Sequence, residues 1–160
     1  MSKTFLTWAN IEADCKELAE KLFDKKFDTI VGIANGGMIP ATILAKLLKV
    51  DRLFSANIKS YQEDKPRDGA HNTNDIVKTL SFPSYTDLKE SRSILFVDDL
   101  ADTGLTLKHV SEKYYIHTNP NHNKWVFATL YYKPKTEFKP EYTIKEFHND
   151  EWIVFPWEIN

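Results

Sequence analysis

With 160 residues, the chain is long enough for one domain with a sizeable core but too short for two ordinary domains. Its hydrophobic fraction of 42% and charged fraction of 28% are typical of a soluble globular protein, and an aromatic fraction of 13% argues against disorder. A formal net charge of -2 gives no general attraction to nucleic acid or to an anionic membrane. No apolar run approaches the roughly 20 residues of a membrane span.

The cysteine content and the opening residues indicate the compartment. Cys15 is the single cysteine, so an internal disulfide is impossible. The first residues do not form a signal-peptide pattern. Both features predict a cytoplasmic protein, in which Cys15 is a packing residue on a helix rather than a nucleophile.

The first third of the chain predicts alternating helices and strands. Apolar residues at helical spacing predict an amphipathic helix over 8–24. The apolar, β-branched run 29–34 predicts a buried strand. A Gly-Gly sequence breaks this strand, and a proline of the kind that opens helices begins a predicted helix over 40–48. The next predicted strand is 53–58.

Residues 62–75 differ from the rest because almost none of them is apolar. In a compact domain, a polar stretch of this length is often a lid over an active site. Composition alone fits a solvated hairpin tip equally well, so both interpretations stay open at this point.

The second half of the chain continues the alternation. It contains predicted strands at 93–98, 125–132, 142–147 and 152–154, and a predicted helix over 105–115. Strands that alternate with helices favour an α/β fold with a parallel sheet flanked by helices. Neither a repeat nor a linker divides the chain, so residues 1–160 are expected to form a single domain.

An acidic segment follows the most apolar of these strands. Asp98 and Asp99 come at the predicted strand end, where two carboxylates can accept hydrogen bonds from ribose hydroxyls or help hold hydrated Mg²⁺. Residues 103–106 open the next helix, whose amides and threonine hydroxyls suit a phosphate group. Gly104 would let the backbone approach that phosphate. An exposed helix cap would explain Asp102 alone, but it leaves the adjacent pair unexplained.

Residues 94–106, which read Ile-Leu-Phe-Val-Asp-Asp-Leu-Ala-Asp-Thr-Gly-Leu-Thr, resemble the signature of the type I phosphoribosyltransferases. These enzymes use phosphoribosyl pyrophosphate (PRPP) and Mg²⁺. The resemblance implies that the acids bind ribose and the Thr-Gly-x-Thr segment binds the 5′-phosphate. These roles fall on Asp98, Asp99, Thr103, Gly104, Leu105 and Thr106.

The resemblance also implies two more specific roles. Asp99 is expected to contact Mg²⁺, partly through water and pyrophosphate. Asp102 matches the position that lies near N7 of the base in the purine branch of the family. It is therefore expected to act as the general base that removes the N7 proton as the glycosidic bond forms at N9.

Two other segments resemble parts of the same family's site. Residues 33–40 resemble the pyrophosphate loop, with Asn35, Gly36 and Gly37 at its centre. Related enzymes usually carry Arg or Lys in place of Asn35. A lost charge-assisted hydrogen bond is worth roughly 1.5–3 kcal/mol, so we expect PRPP binding either to be weaker or to be compensated elsewhere. Ser60-Tyr61 resembles the start of the catalytic lid, expected over about 60–82.

The last part of the chain, about 133–160, is expected to form a small C-terminal hood that recognises the base. By resemblance to the purine branch, Lys133 donates to the 6-oxo group and Trp152 stacks on the ring. The backbone of Ile153 meets the purine edge, and Glu158 accepts from a 2-amino group. Taken alone, an aromatic residue is more often part of the core, and a Lys before Pro is more often solvated. The order and spacing of these residues after the PRPP segment support the implied roles.

These inferences predict a salvage enzyme that joins hypoxanthine, guanine or xanthine to PRPP. Two alternatives stay open: another base such as a pyrimidine, and a nucleotide-sensing regulator with the same fold and little turnover. No nucleic-acid or membrane partner is expected, and the resemblance implies a homodimer or homotetramer. The turn-rich stretch 117–123 resembles an insertion and receives no role.

Overall fold

The computed structural model describes residues 2–62, 75–114 and 124–158. The strands are β1 (Lys3–Phe5), β2 (Thr29–Ala34), β3 (Arg52–Gln62), β4 (Asp75–Ser81), β5 (Ser93–Ala101), β6 (Lys124–Tyr132), β7 (Lys145–Glu146) and β8 (Trp152–Val154). The helices are α1 (Trp8–Leu22), α2 (Met38–Leu48), α3 (Tyr85–Leu88) and α4 (Leu105–Tyr114), and a 3-10 turn over Phe23–Lys25 follows α1.

Six strands form the central sheet in the order β4-β3-β2-β5-β6-β7. The pairings from β3 through β7 are parallel, which confirms the predicted α/β sheet flanked by helices. The edge strand β4 pairs with β3 in the antiparallel direction, so the sheet is mixed at one side. The fold places β2 and β5 side by side at its centre, and their carboxyl ends meet at one edge of the sheet.

The central strand β5 explains why both faces of the sheet are covered. Leu95 and Val97 belong to one core cluster, which includes the buried residues of α1 and α2. Ile94 and Phe96 point the other way into a second cluster with the buried residues of α3 and α4. Because both faces are buried, the strand reads as a continuous apolar run rather than as an alternating one.

The boundaries of α2, α1 and β5 are among those that differ from the sequence prediction. Helix α2 begins at Met38, two residues before the predicted start, and accommodates Pro40 in its first turn, where amides lack intrahelical partners. Helix α1 ends at Leu22 and the 3-10 turn replaces its predicted last residues. Strand β5 continues to Ala101, three residues beyond its predicted end at Asp98, so the acidic pair lies within the strand rather than at its end.

The predicted strand 142–147 is mostly wrong. Only β7 pairs regularly with β6, and Tyr142 makes an isolated bridge to Ala128. Between these points Ile144 N still donates to Leu130 O at 2.9 Å, but the carbonyl of Thr143 accepts a hydrogen bond from Lys21 Nζ at 3.2 Å, so the segment follows β6 without forming a regular strand.

A separate two-stranded parallel sheet joins the ends of the chain. Lys3 pairs with Trp152, and Phe5 with Val154, so β1 tethers the C-terminal hood to the start of α1. Sequence analysis predicted β8 but missed β1, because three residues carry too little pattern to indicate a strand.

Two predicted segments fall partly or wholly outside the described residues. These are 63–74 of the predicted lid and the insertion 117–123; the last part of the predicted lid forms β4. Within the described part of the chain, no helix has the length and apolar character needed to cross a membrane.

Candidate functional site

The loop after β2 lies directly against the end of β5. A Cβ atom added at Gly36 would collide with the Asp99 carboxylate, and one at Gly37 would lie 2.6 Å from Val97 O and 2.8 Å from Asp98 Cα. Both positions therefore require glycine because the two segments touch. Asn35, the first residue of this loop, is exposed and its carbonyl accepts from Met38 N at 3.2 Å.

Asp98 and Asp99, here called the acid pair, carry poorly compensated negative charge. Asp98 Oδ1 accepts from Asp99 N at 2.9 Å, and Asp99 Oδ1 accepts from Leu100 N at 2.7 Å. Burial raises the pKa of Asp98 well above its ordinary value, and the neighbouring charge of Asp99 raises it further. Such a pair suits ligands that bring hydroxyl donors or a cation.

The pKa of Asp99 is raised for related reasons. Burial is the largest cause, partly offset by hydrogen bonds from neighbouring groups, and the charge of Glu158 adds to the increase. Glu158 is the last described residue of the chain. Glu158 itself is held in a turn, where its Oε2 accepts from Phe155 N at 3.4 Å.

Asp102 and Lys133 meet because β5 and β6 are in register. Ala101 pairs with Tyr132, so the next residue of each strand lies side by side. Lys133 Nζ lies 3.4 Å from Asp102 Oδ2, and Lys133 N donates to Ala101 O at 3.0 Å. Lys133 is only 6% exposed, which corrects the ordinary expectation of a solvated lysine before proline.

A second cation, Lys135, contacts the other oxygen of the same carboxylate. Lys135 Nζ lies 2.9 Å from Asp102 Oδ1. Asp102, which the sequence assigns as general base, is thus ion-paired on both oxygens. Sequence analysis missed Lys135, because only the fold of the turn after β6 brings it back to β5.

The segment expected to bind the 5′-phosphate is braced by residues from this turn. Gly104 has a φ of 80°, the left-handed region that favours glycine, and an added Cβ would lie 2.6 Å from Phe138 N. Glu137 N donates to Thr103 O at 2.8 Å. Backbone conformation and close packing therefore both require glycine at position 104, in addition to the predicted approach of a phosphate. Leu105 and Thr106, both partly buried, begin helix α4.

Strand β8 presents its residues in alternation. Trp152 is 53% exposed, whereas the Ile153 side chain is buried in the core. Trp152 N donates to Ser2 O, and Val154 O accepts from Leu6 N. Since backbone groups alternate in direction along a strand, the amide and carbonyl of Ile153 point away from β1. The exposed Trp152 ring and the outward-facing backbone of Ile153 can therefore both contact a planar base.

Ser60 and Tyr61, the predicted start of the lid, lie at the end of β3. Ser60 is exposed and pairs with Val77 of β4, and the backbone of Tyr61 pairs with Ile76. The structure thus places this dipeptide on the β3–β4 ribbon. The acid pair, by contrast, ends a strand of the buried centre of the sheet.

Comparison with known proteins agrees with this geometry. The family model of the phosphoribosyl transferase domain matches residues 1–160. The chain belongs to the phosphoribosyltransferase family. The xanthine-guanine phosphoribosyltransferase of Ruegeria sp. (strain TM1040) is 31% identical, and the match covers 96% of this chain and 84% of that protein.

Solved structures show the same fold in the purine branch of the family. A purine phosphoribosyltransferase from Pyrococcus horikoshii is 34% identical, with a TM-score of 0.78 and coverage of 100% and 97% of the two chains. The xanthine-guanine-hypoxanthine phosphoribosyltransferase of Helicobacter pylori has a TM-score of 0.79 at 22% identity, over 98% and 94% of the chains, and supports the fold alone. The phosphoribosyltransferase described here is a purine-branch, type I member.

Proposed function

We propose that this phosphoribosyltransferase transfers the 5-phosphoribosyl group of PRPP to N9 of a 6-oxopurine. The products are a nucleoside monophosphate and pyrophosphate. The observation that carries the proposal is that β5 bears the acid pair and leads directly to Asp102, whose carboxylate lies 3.4 Å from Lys133 Nζ at the end of β6. Relatives named for xanthine, guanine and other purines favour this enzyme over a pyrimidine enzyme and over a sensor without turnover.

On the PRPP side, the acid pair would accept hydrogen bonds from the ribose hydroxyls. The raised pKa values of Asp98 and Asp99 indicate that few groups stabilise their ionised forms in the free protein. Hydroxyl donors from the ribose would supply that stabilisation. The first turn of α4, with Thr103, Gly104, Leu105 and Thr106, would hold the 5′-phosphate on its amides and hydroxyls. The Asn35-Gly36-Gly37 loop, packed on the acid pair, would face the pyrophosphate.

On the purine side, Lys133 would donate to the 6-oxo group, with Trp152 stacking on the ring and the Ile153 backbone at its edge. Glu158 would accept from a 2-amino group where the base has one. As C1′ leaves pyrophosphate and bonds to N9, the base must lose its N7 proton, and the carboxylate of Asp102 would accept it. The 60–82 segment, starting with Ser60 and Tyr61, would exclude water.

The site fits Mg²⁺ bound mainly through the substrate. Among the described residues, no three His, Cys, Asp or Glu side chains gather as a metal cluster. Mg²⁺ needs oxygen ligands and commonly takes one or two carboxylates together with phosphate oxygens and water. Asp99 supplies such a carboxylate, and the ion, when bound, would neutralise charge on the departing pyrophosphate.

The proposal is tested by incubating the folded protein with PRPP, Mg²⁺ and a panel of bases. We expect pyrophosphate release with at least one of hypoxanthine, guanine and xanthine, and none with uracil or orotate. Absence of release with every purine would refute the proposed function. Sedimentation of the same preparation would test the predicted homodimer or homotetramer, and fractionation of the source cells the predicted cytoplasmic location.

A further inference from the structure

We propose that Lys135 is a positioning residue that keeps the Asp102 carboxylate aimed at the purine while Lys133 binds the base. The proposal rests on the proposed function, since it concerns the same carboxylate. The contact behind it is the ion pair between Lys135 Nζ and Asp102 Oδ1 at 2.9 Å.

The two lysines have different surroundings and therefore different freedom. Lys133 is buried and lies 3.4 Å from Asp102 Oδ2. The Lys133 ammonium carries three N–H donors on one nitrogen. When a 6-oxo group binds, this ammonium must therefore donate both to that oxygen and to Asp102. Lys135 forms an ion pair with the opposite carboxylate oxygen, and the proposed function gives it no contact with the base, so it would retain the orientation of Asp102.

The backbone around Lys135 is anchored independently of the base. Lys135 N donates to Asn149 Oδ1 at 2.9 Å, and Thr136 N donates to Lys133 O at 3.0 Å, which closes a turn. Glu137 N donates to Thr103 O at 2.8 Å, next to Asp102 itself. The turn over 133–137 is therefore held by hydrogen bonds to the segment that follows β5, where Asp102 lies.

A further ion pair secures the same turn from helix α4. Lys108 Nζ lies 3.0 Å from Glu137 Oε2. Among the described residues, the charged groups in contact with Asp102 are Lys133 and Lys135 of the turn. Lys135 is the member of this set that faces Asp102 while lying partly in solvent, at 42% side-chain exposure.

The test compares Lys135→Met with Lys135→Arg, and uses Lys139→Met as the matched control. Lys139 lies on the same segment, and its Nζ is 4.8 Å from the centre of the Tyr132 ring. Because Lys135 is half-exposed, we expect Lys135→Met to lower kcat roughly threefold to tenfold with KM for PRPP unchanged. Lys135→Arg should restore most of kcat, and Lys139→Met should leave it unchanged.

A double-mutant cycle shows whether Lys135 acts through Asp102. In an Asp102→Asn background, Lys135→Met should cause no further loss of kcat. Equal losses in both backgrounds, or a wild-type kcat in Lys135→Met, would overturn the positioning role while the proposed function stood. A wild-type protein inactive with every purine would overturn both, and thermal melting of each variant separates these results from unfolding.

Discussion

The proposed PRPP side of the site, with Asp98 and Asp99, differs from the proposed base side, with Asp102 and Lys133, in how the charge of its carboxylates is compensated. The acid pair is influenced mainly by burial and by other carboxyl groups, which raise the pKa values of Asp98 and Asp99. Asp102 instead lies within 3.4 Å of one lysine and 2.9 Å of another. The acid pair therefore depends on a ligand to compensate its charge. The charge of Asp102 is already compensated by the two lysines, which hold the carboxylate in place before any substrate binds.

The largest expected effect tests the base side. Asp102→Asn keeps the shape of the side chain but cannot accept the N7 proton, so we expect kcat to fall by about 10²–10⁴-fold. Steady-state kinetics with the preferred purine would measure the loss, and circular dichroism would confirm the fold. Unchanged turnover would remove Asp102 from its proposed role without affecting the family assignment.

A smaller effect is expected at the buried lysine. Lys133→Met should reduce kcat/KM for a 6-oxopurine by roughly 10- to 100-fold, the value of one charge-assisted hydrogen bond. KM for PRPP should change little, because Lys133 lies on the base side. An equal rise in KM for both substrates would show that Lys133 supports the whole site rather than the purine alone.

A third prediction tests whether Asn35, which carries no charge, faces the pyrophosphate of PRPP. Asn35→Lys restores the cation that related enzymes usually carry and should lower KM for PRPP by about three- to tenfold, since the position is exposed. Gln at the same position is the matched control, because it lengthens the side chain without charge. An unchanged KM in Asn35→Lys would mean that this residue does not face pyrophosphate.

The smallest effect concerns stability rather than rate. The raised folded pKa of Asp98 means that the folded state loses stability as pH rises from the ordinary carboxyl range through the raised value. Asp98→Asn removes this cost and should increase the free energy of unfolding at pH 7, with the gain shrinking toward pH 4.

Urea unfolding at pH 7 and at pH 4 would measure this difference. A gain equal at both pH values would show that ionisation of Asp98 is not its source. The same variant should lose PRPP binding, because its amide replaces a carboxylate that is expected to accept from ribose. Stability and activity would then move in opposite directions at one residue.

Much of the PRPP side was predictable because it is contiguous. One strand and the start of one helix carry the acid pair and residues 103–106, and local pattern predicts both elements. The glycine loop follows β2 in the same way. Its packing on Asp99 was not predictable, because the contact joins residues that are more than sixty positions apart.

The base side was predictable in its residues but not in its arrangement. Strand β1, the pairing of β1 with β8 and the turn that carries Lys135 depend on contacts between distant segments. Short strands and irregular turns carry little periodic signal, so their positions follow from packing rather than from local preference.

The sequence by itself determined the family, the parallel α/β sheet and the residues of the acidic segment, since apolar runs and a contiguous motif act locally. Only the tertiary structure decided that β5 extends past the acid pair to Ala101, that Lys133 is buried, and that Lys135 contacts the second oxygen of Asp102. The physical reason is that burial and charge pairing are set by which segments meet, and strand register brings Asp102 and Lys133 together.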